Sequence, residues 1–209
     1  MSGVRARYRA LVAAGELRPD PEQLAAAERL DRLQQQLEAA PVSGFLGKLL
    51  GKKAAAPRGL YLWGGVGRGK SMLMDLFHES LAIPQKRRAH FHAFMLEVPS
   101  RLRAARKRES GGPIPPVAAA IADNLRVLAF DEMVVNNSAD AMIMSRLFTA
   151  LILQHGVTIV TTSNRAPSAL YKDGLHREHF LPFIALIDRE LDTLALNAPA
   201  GAYNIADDA

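Results

Sequence analysis

Gly64-Gly65-Val66-Gly67-Arg68-Gly69-Lys70-Ser71 decides how the rest of this 209-residue sequence reads. The octapeptide matches G-x-x-x-x-G-K-[ST] at every position, a pattern that arises by chance in roughly one percent of chains of this length. Each position has a chemical reason. Glycines let backbone N–H groups turn inward around phosphates, where a Cβ would block the approach. A helix opening near Gly69 aims the positive end of its dipole at the same anion. Lys70 reaches the β- and γ-phosphates as a point charge, and the Ser71 hydroxyl suits Mg²⁺. The predicted nucleotide-binding set is Gly64, Gly65, Val66, Gly67, Arg68, Gly69, Lys70, Ser71 and Met72, with ATP and Mg²⁺ as the ligands.

The flanks supply the context. Gly59-Leu60-Tyr61-Leu62-Trp63 is a short apolar run ending at the glycines, and Met72, Leu73, Leu76 and Phe77 keep a helical spacing toward Leu81. Downstream, strand and helix patterns alternate. A strand is predicted at Arg88–Phe94, a basic helix at Met95–Arg108, and a loop over Gly111-Gly112-Pro113-Ile114-Pro115-Pro116. Pro116 opens a short helix through Ala122, and Leu125–Phe130 reads as a strand buried on both faces. Ser138 caps a helix through Gln154, Val157–Thr162 is a β-branched strand, Tyr171–Leu186 is helical in parts, and Leu191–Leu196 is a final strand. Such alternation predicts an α/β fold of the P-loop NTPase kind, a parallel sheet flanked by helices.

Two strand ends complete the chemistry. Val127-Leu128-Ala129-Phe130 stops at Asp131-Glu132. In P-loop enzymes an apolar strand next to the P-loop strand ends in an aspartate that holds Mg²⁺. Asp131 and Ser71 are thus the predicted metal residues, and Glu132 the base for the attacking water. A DE pair after a strand is weak by itself and gains its force from the glycine loop. Val160-Thr161-Thr162-Ser163-Asn164-Arg165 ends in an amide able to position that water, which makes Asn164 the third catalytic candidate beside Glu132 and Lys70. Catalysis of this kind is mostly positioning and charge stabilisation, to which an arginine from a neighbouring subunit can add ~10³-fold. Arg165 and Arg177 are candidates for that role.

Before the loop, Asp20-Pro21-Glu22-Gln23 is a helix start, with Asp20 capping and Gln23 closing a capping box. Leu24, Ala27, Leu30, Leu33 and Leu37 form the apolar stripe of the helix that follows. Residues 1–57 are read as an N-terminal helical extension and linker, 58–197 as the ATPase core, and 198–209 as a frayed tail. The linker, Pro41–Pro57, contains Phe45-Leu46-Gly47-Lys48-Leu49-Leu50, a possible short helix and a weak candidate for peripheral membrane contact.

Composition narrows the class. Hydrophobic residues make up 49% and charged residues 22%, as in a globular domain. The chain has no cysteine, which excludes disulfides, thiolate metal sites and cysteine nucleophiles. With no apolar run long enough to span a bilayer, a cytoplasmic location is expected. Arg5, Arg7 and Arg9 could belong to a transit peptide but fit the solvated face of a first helix better. The formal charge of +5 hints at acidic or phosphate-bearing partners. Lys86-Arg87-Arg88 with Arg101, Arg103, Arg106, Lys107 and Arg108 could follow a nucleic-acid backbone, yet no aromatic platform interleaves them, so nucleic acid is not expected. His90 and His92, two apart on the predicted strand, would face one side as a metal pair, but no third ligand is evident. The pairs Met72, Met74 and Met142, Met144 read as core filler.

With these motifs in place, the sequence resembles the ZapE family, AAA+ ATPases of bacterial cell division with mitochondrial AFG-like relatives. The likeness runs from about Tyr8 to Leu196. Its blocks are Gly59–Lys70, Met72–Phe77, His90–Met95, and Ala139–Ile143 continuing through Thr162–Arg165, Leu175–Glu178 and Phe180–Phe183. The resemblance implies an AAA+ sheet, ATP hydrolysis, a homo-oligomer, and a protein partner in cell division or protein quality control. It also favours Asn164 as the sensor and Arg177 as the trans-acting arginine. Ser71 stands where the family usually has threonine, which keeps the hydroxyl. Met133–Ser138 departs from a block that usually carries an aromatic and an acid. The family also implies a C-terminal helical lid over the nucleotide, and no such lid follows the last strand in this sequence. Two rival functions follow: a nucleotide-binding module with little turnover, and a nucleic-acid-remodelling ATPase of the helicase-loader kind.

Overall fold

A computed structural model describes residues 3–39, 56–106 and 112–197. The expectations for most of the linker, for its short helix at 45–50, for Lys107 and Arg108, and for the tail lie outside the described residues. The elements are α1 (Val4–Ala13), α2 (Pro21–Ala39), β1 (Gly59–Trp63), α3 (Lys70–Ser80), β2 (Lys86–His90), α4 (Phe91–Arg106), α5 (Ile114–Ala122), β3 (Val127–Asp131), α6 (Ser138–Thr149), β4 (Thr158–Ser163), α7 (Leu181–Glu190) and β5 (Leu191–Ala195). A π-helical turn, Ala150–Gln154, extends α6, and single 3₁₀ turns lie at Pro167–Ala169 and Arg177–His179. The five strands form one parallel sheet in the order β2-β3-β4-β1-β5.

Strand alternation builds a core on each face of this sheet. Leu60 and Leu62 with Val127, Ala129 and Val160 point to α1, α2 and α3, whereas Tyr61 with Leu128, Phe130 and Ile159 points to α4, α5, α6 and α7. The central strands are apolar on both sides for that reason. The second core centres on Phe130, whose ring lies 5.7, 4.8 and 5.4 Å from those of Phe91, Phe94 and Phe148. The N-terminal helices belong to the first core: Val4, Tyr8, Leu30, Leu33 and Leu37 are buried there beside Leu73 and Phe77 of α3.

Several local expectations change. The second strand is Lys86–His90, two residues earlier than predicted, and Phe91 already begins α4. The displaced prediction followed apolar residues, but Phe91, Phe94, Met95, Val98 and Leu102 have helical spacing and are the buried face of α4. β2 is an edge strand whose long basic side chains are half-buried: Arg87 bonds Glu97 and lies over the Phe94 ring. This shift removes the basis of the His90–His92 pair, because His90 ends the strand while His92 sits in a helical turn, both exposed. On α4, Arg101 pairs with Glu97 one turn away, and Arg103 and Arg106 are exposed.

Helix starts also differ. Asp20 caps α2 as predicted, accepting from Gln23 N at 2.9 Å, but Gln23 does not close a capping box. Its side-chain amide turns to the glycine loop instead and donates to Arg68 O. Asn137 rather than Ser138 caps α6, accepting from Asp140 N at 2.8 Å. α5 begins at Ile114, so Pro115 and Pro116 fall in its first turn, where missing N–H donors cost nothing. Met74 and Met144 are core residues, but Met142 is half exposed and Met72 lines the cleft described next. No helix among the described residues is long and apolar enough to cross a membrane.

Candidate nucleotide site

The glycine loop joins β1 to α3 at the C-terminal rim of the sheet, where open α/β folds bind ligands. Left-handed backbone at Gly67 (φ 75°) and Gly69 (φ 78°) turns the chain into α3. The first backbone bond of that helix runs from Leu73 N to Gly69 O, so the donors of Lys70, Ser71 and Met72 precede it and have no partner within the helix. Lys70 is buried and bends back over the loop, its Nζ donating to Gly64 O at 2.8 Å and Gly65 O at 2.7 Å. Burial lowers its pKa, Glu132 opposes that shift, and Arg68 adds to it. A desolvated ammonium of this kind is prepared for an anion.

The loop is held from two sides. Gln23 of α2 contacts Arg68, and Arg68 donates to Asn197 O just after β5. Glu22 accepts from Asn197 N, and Leu196 N donates to Trp63 O. A Cβ on Gly64 would lie 2.2 Å from Leu196 O, so this glycine is required for the approach of the segment behind it.

Across the cleft, the turn after β3 is clipped to β4. Glu132 adopts a left-handed backbone (φ 58°), unusual for a residue with a side chain, and its N–H donates to Thr162 Oγ1 at 3.0 Å. Met133 N donates to Thr162 O, and Ser163 Oγ donates to Met133 O. These bonds leave the Glu132 carboxylate exposed at the cleft wall. The expectation that the acidic strand adjoins the P-loop strand is corrected: β4 lies between β3 and β1, and its end carries Thr162 and Asn164 into the gap.

One cleft of about 380 Å³ gathers Val66, Gly67, Arg68, Gly69, Lys70, Ser71 and Met72 with Glu132 and Asn164. Its remaining walls, Leu17, Arg18, Gln23 and Thr162, are residues that sequence reading missed. Nothing local marks the first three: Leu17 and Arg18 lie between α1 and α2, Gln23 is on α2, and they reach the loop only through tertiary packing. Asp131 is buried behind the wall and bonded by Arg88. Arg177 and Arg165 are not among the lining residues. Arg177 donates to Ser168 O from a turn beyond β4, and Arg165 accepts from the Tyr61 hydroxyl through its carbonyl. The Ser71 hydroxyl with the Asp131 carboxylate is a hard-oxygen donor set, which fits Mg²⁺.

The chain is 41% identical to the cell division protein ZapE of Escherichia coli K12 over 196 residues, covering 88% of this chain and 52% of ZapE. It is 44% identical to lactation elevated protein 1 homolog B of Danio rerio over 144 residues, covering 65% of this chain and 28% of that protein. The chain thus spans about half the length, or less, of these curated relatives. Among solved structures, domain III of the replication initiation protein DnaA from Thermotoga maritima superposes with a TM-score of 0.61 at 13% identity, covering 87% of this chain and 65% of that one. DnaI superposes with a TM-score of 0.57 at 18% identity, covering 85% and 86%. At those identities the likeness shows a shared fold, the parallel sheet flanked by helices, and nothing further. A sequence model of the AFG1-like ATPases matches residues 2–204, and the chain belongs to that family.

Proposed function

We propose that this protein hydrolyses ATP with Mg²⁺ in the cleft between the glycine loop and the ends of β3 and β4. It would couple nucleotide state to the binding of a protein partner. The observation that carries this reading is the convergence of Lys70, Ser71, Glu132 and Asn164 on one cleft from three separate stretches of chain. Lys70 and the donors at the start of α3 bind the phosphates. Asn164 holds the attacking water, Glu132 accepts its proton as oxygen bonds to the γ-phosphorus, and ADP leaves. Ser71 and Asp131 hold the metal, which when bound neutralises phosphate charge. Leu17, Arg18 and Met72 flank the loop where the rest of the nucleotide would lie.

Two features remain outside the cleft and give the proposal its oligomeric part. Arg177 and Arg165 are on the same rim but do not line the pocket, which suits an arginine acting across a subunit boundary in a homo-oligomer. Similarity to a bacterial cell division protein supports a protein partner in division.

Phosphate release measured over a range of protein concentrations tests the proposal. Specific activity should be Mg²⁺-dependent and rise with concentration. Glu132→Gln should lower turnover by ~10²–10⁴-fold, the range typical of a lost general base, while ATP still binds. Tight ATP binding with no phosphate release from the unaltered protein would replace this reading with that of a binding module.

A further inference from the structure

Asp131 is gripped along one edge by Arg88 of β2. Nε donates to Oδ2 at 2.8 Å and Nη2 to Oδ1 at 3.2 Å, a side-on arrangement only a guanidinium can make. The third nitrogen, Nη1, donates to Asp75 Oδ1. Asp75 lies on α3 one turn beyond Ser71, and residues four apart share a helix face. One side chain therefore joins the two elements that carry the metal-binding oxygens of the proposed function, the first turn of α3 and the end of β3. β3 is joined to β1, the strand leading into the glycine loop, only through β4, and the Arg88 side chain adds a second link, from the end of β3 to α3.

Charge points the same way. Asp131 is only 6% exposed, and a carboxylate so placed needs a partner. The Arg88 guanidinium supplies that partner and bonds Asp75 as well. Two carboxylates and one guanidinium sum to one formal negative charge beside Ser71. That balance attracts a divalent cation without leaving the two acids to repel each other. Because Arg88 occupies one edge of Asp131, the carboxylate would have only its remaining lone pairs to offer a cation.

We propose that Arg88 is a positioning residue for the metal: it fixes Asp131 side-on and, through Asp75, registers that carboxylate against the Ser71 turn. This rests on the ATP–Mg²⁺ reading above. Arg88 does not line the cleft and touches no substrate there.

The test is equilibrium binding of a fluorescent ATP analogue to the full chain, titrated with Mg²⁺ and repeated in EDTA, with urea unfolding of each variant alongside. Removing an outer partner of a metal ligand typically weakens metal affinity 10–100-fold, so Arg88→Gln should raise the half-effective Mg²⁺ concentration by about tenfold and leave affinity in EDTA within about twofold. Arg88→Lys, which keeps the charge but not the fork, should fall between the two. Asp75→Asn should move the midpoint the same way by a smaller factor. An unchanged Mg²⁺ midpoint in Arg88→Gln, or an equal loss of affinity in EDTA, overturns the proposal. If Arg88→Gln does not fold, Asp75→Asn decides: a folded variant with an unaltered midpoint overturns it. Nucleotide binding by the unaltered protein that ignores Mg²⁺ would instead refute the metal-bound nucleotide reading itself, and Arg88's role with it.

Discussion

Replacing Thr162 by valine keeps the shape of a buried side chain and removes one oxygen. That oxygen accepts the Glu132 N–H at 3.0 Å, at a residue whose backbone sits at φ 58°. A left-handed non-glycine residue costs on the order of 1–3 kcal/mol and persists only where its surroundings hold it. With the acceptor gone, the N–H is left without its partner, a loss of about 1–2 kcal/mol. The turn does not come free, because Met133 N still bonds Thr162 O and Ser163 Oγ still bonds Met133 O. Stability should therefore fall only by that amount, or roughly 2–8 °C in Tm for a domain of this size. Activity should fall further. Relaxation of Glu132 toward an ordinary backbone swings its carboxylate, and a misplacement of about 1 Å can cost ~10²-fold in rate. Calorimetry and phosphate release on Thr162→Val and Thr162→Ser separate the effects, since serine restores the acceptor. If Thr162→Val turns over ATP as fast as the unaltered protein, the clip does not aim Glu132. If Thr162→Ser fails to recover activity, the oxygen is not what matters.

Three further outcomes follow from the same geometry. Gly64→Ala places a Cβ 2.2 Å from Leu196 O, so the loop and the segment after β5 must separate; the loss of the Leu196–Trp63 and Gly64–Ser163 backbone bonds should cost about 2 kcal/mol in urea unfolding and weaken ATP binding. Phe130→Ala empties the centre of the aromatic core and should destabilise by about 3–5 kcal/mol, read as a large fall in the urea midpoint. Burial would raise the Asp192 pKa, but bonds from Arg29 and Arg58 outweigh it and hold the value below the usual carboxylate range. Its stabilisation is complete above the unfolded value of about 3.9 and disappears as pH falls through the folded one, so Asp192→Asn should flatten the acid limb of stability below about pH 4.

Much of the site was legible because phosphate binding demands particular residue types at fixed spacing. The glycine loop, Lys70 and Ser71 are one contiguous stretch, and the sequence alone determined that a strand would enter it and a helix leave it. Apolar runs at Gly59–Trp63, Leu125–Phe130 and Val157–Thr162 likewise show as buried strands, since both faces of each are covered. β2 was misplaced because an edge strand needs no apolar run: Lys86 donates to backbone carbonyls at the end of α3, Arg87 and Arg88 pair with acids, and the neighbouring phenylalanines belong to α4. What tertiary structure alone decided is the company each motif keeps. Sheet order set β4 between the glycine-loop strand and the acidic one, the N-terminal helices brought Leu17, Arg18 and Gln23 to the cleft, and Arg88 reached Asp131 across 43 residues of chain. Such contacts leave no local trace, because hydrogen bonds and burial depend on distance in space while sequence patterns record only distance along the backbone.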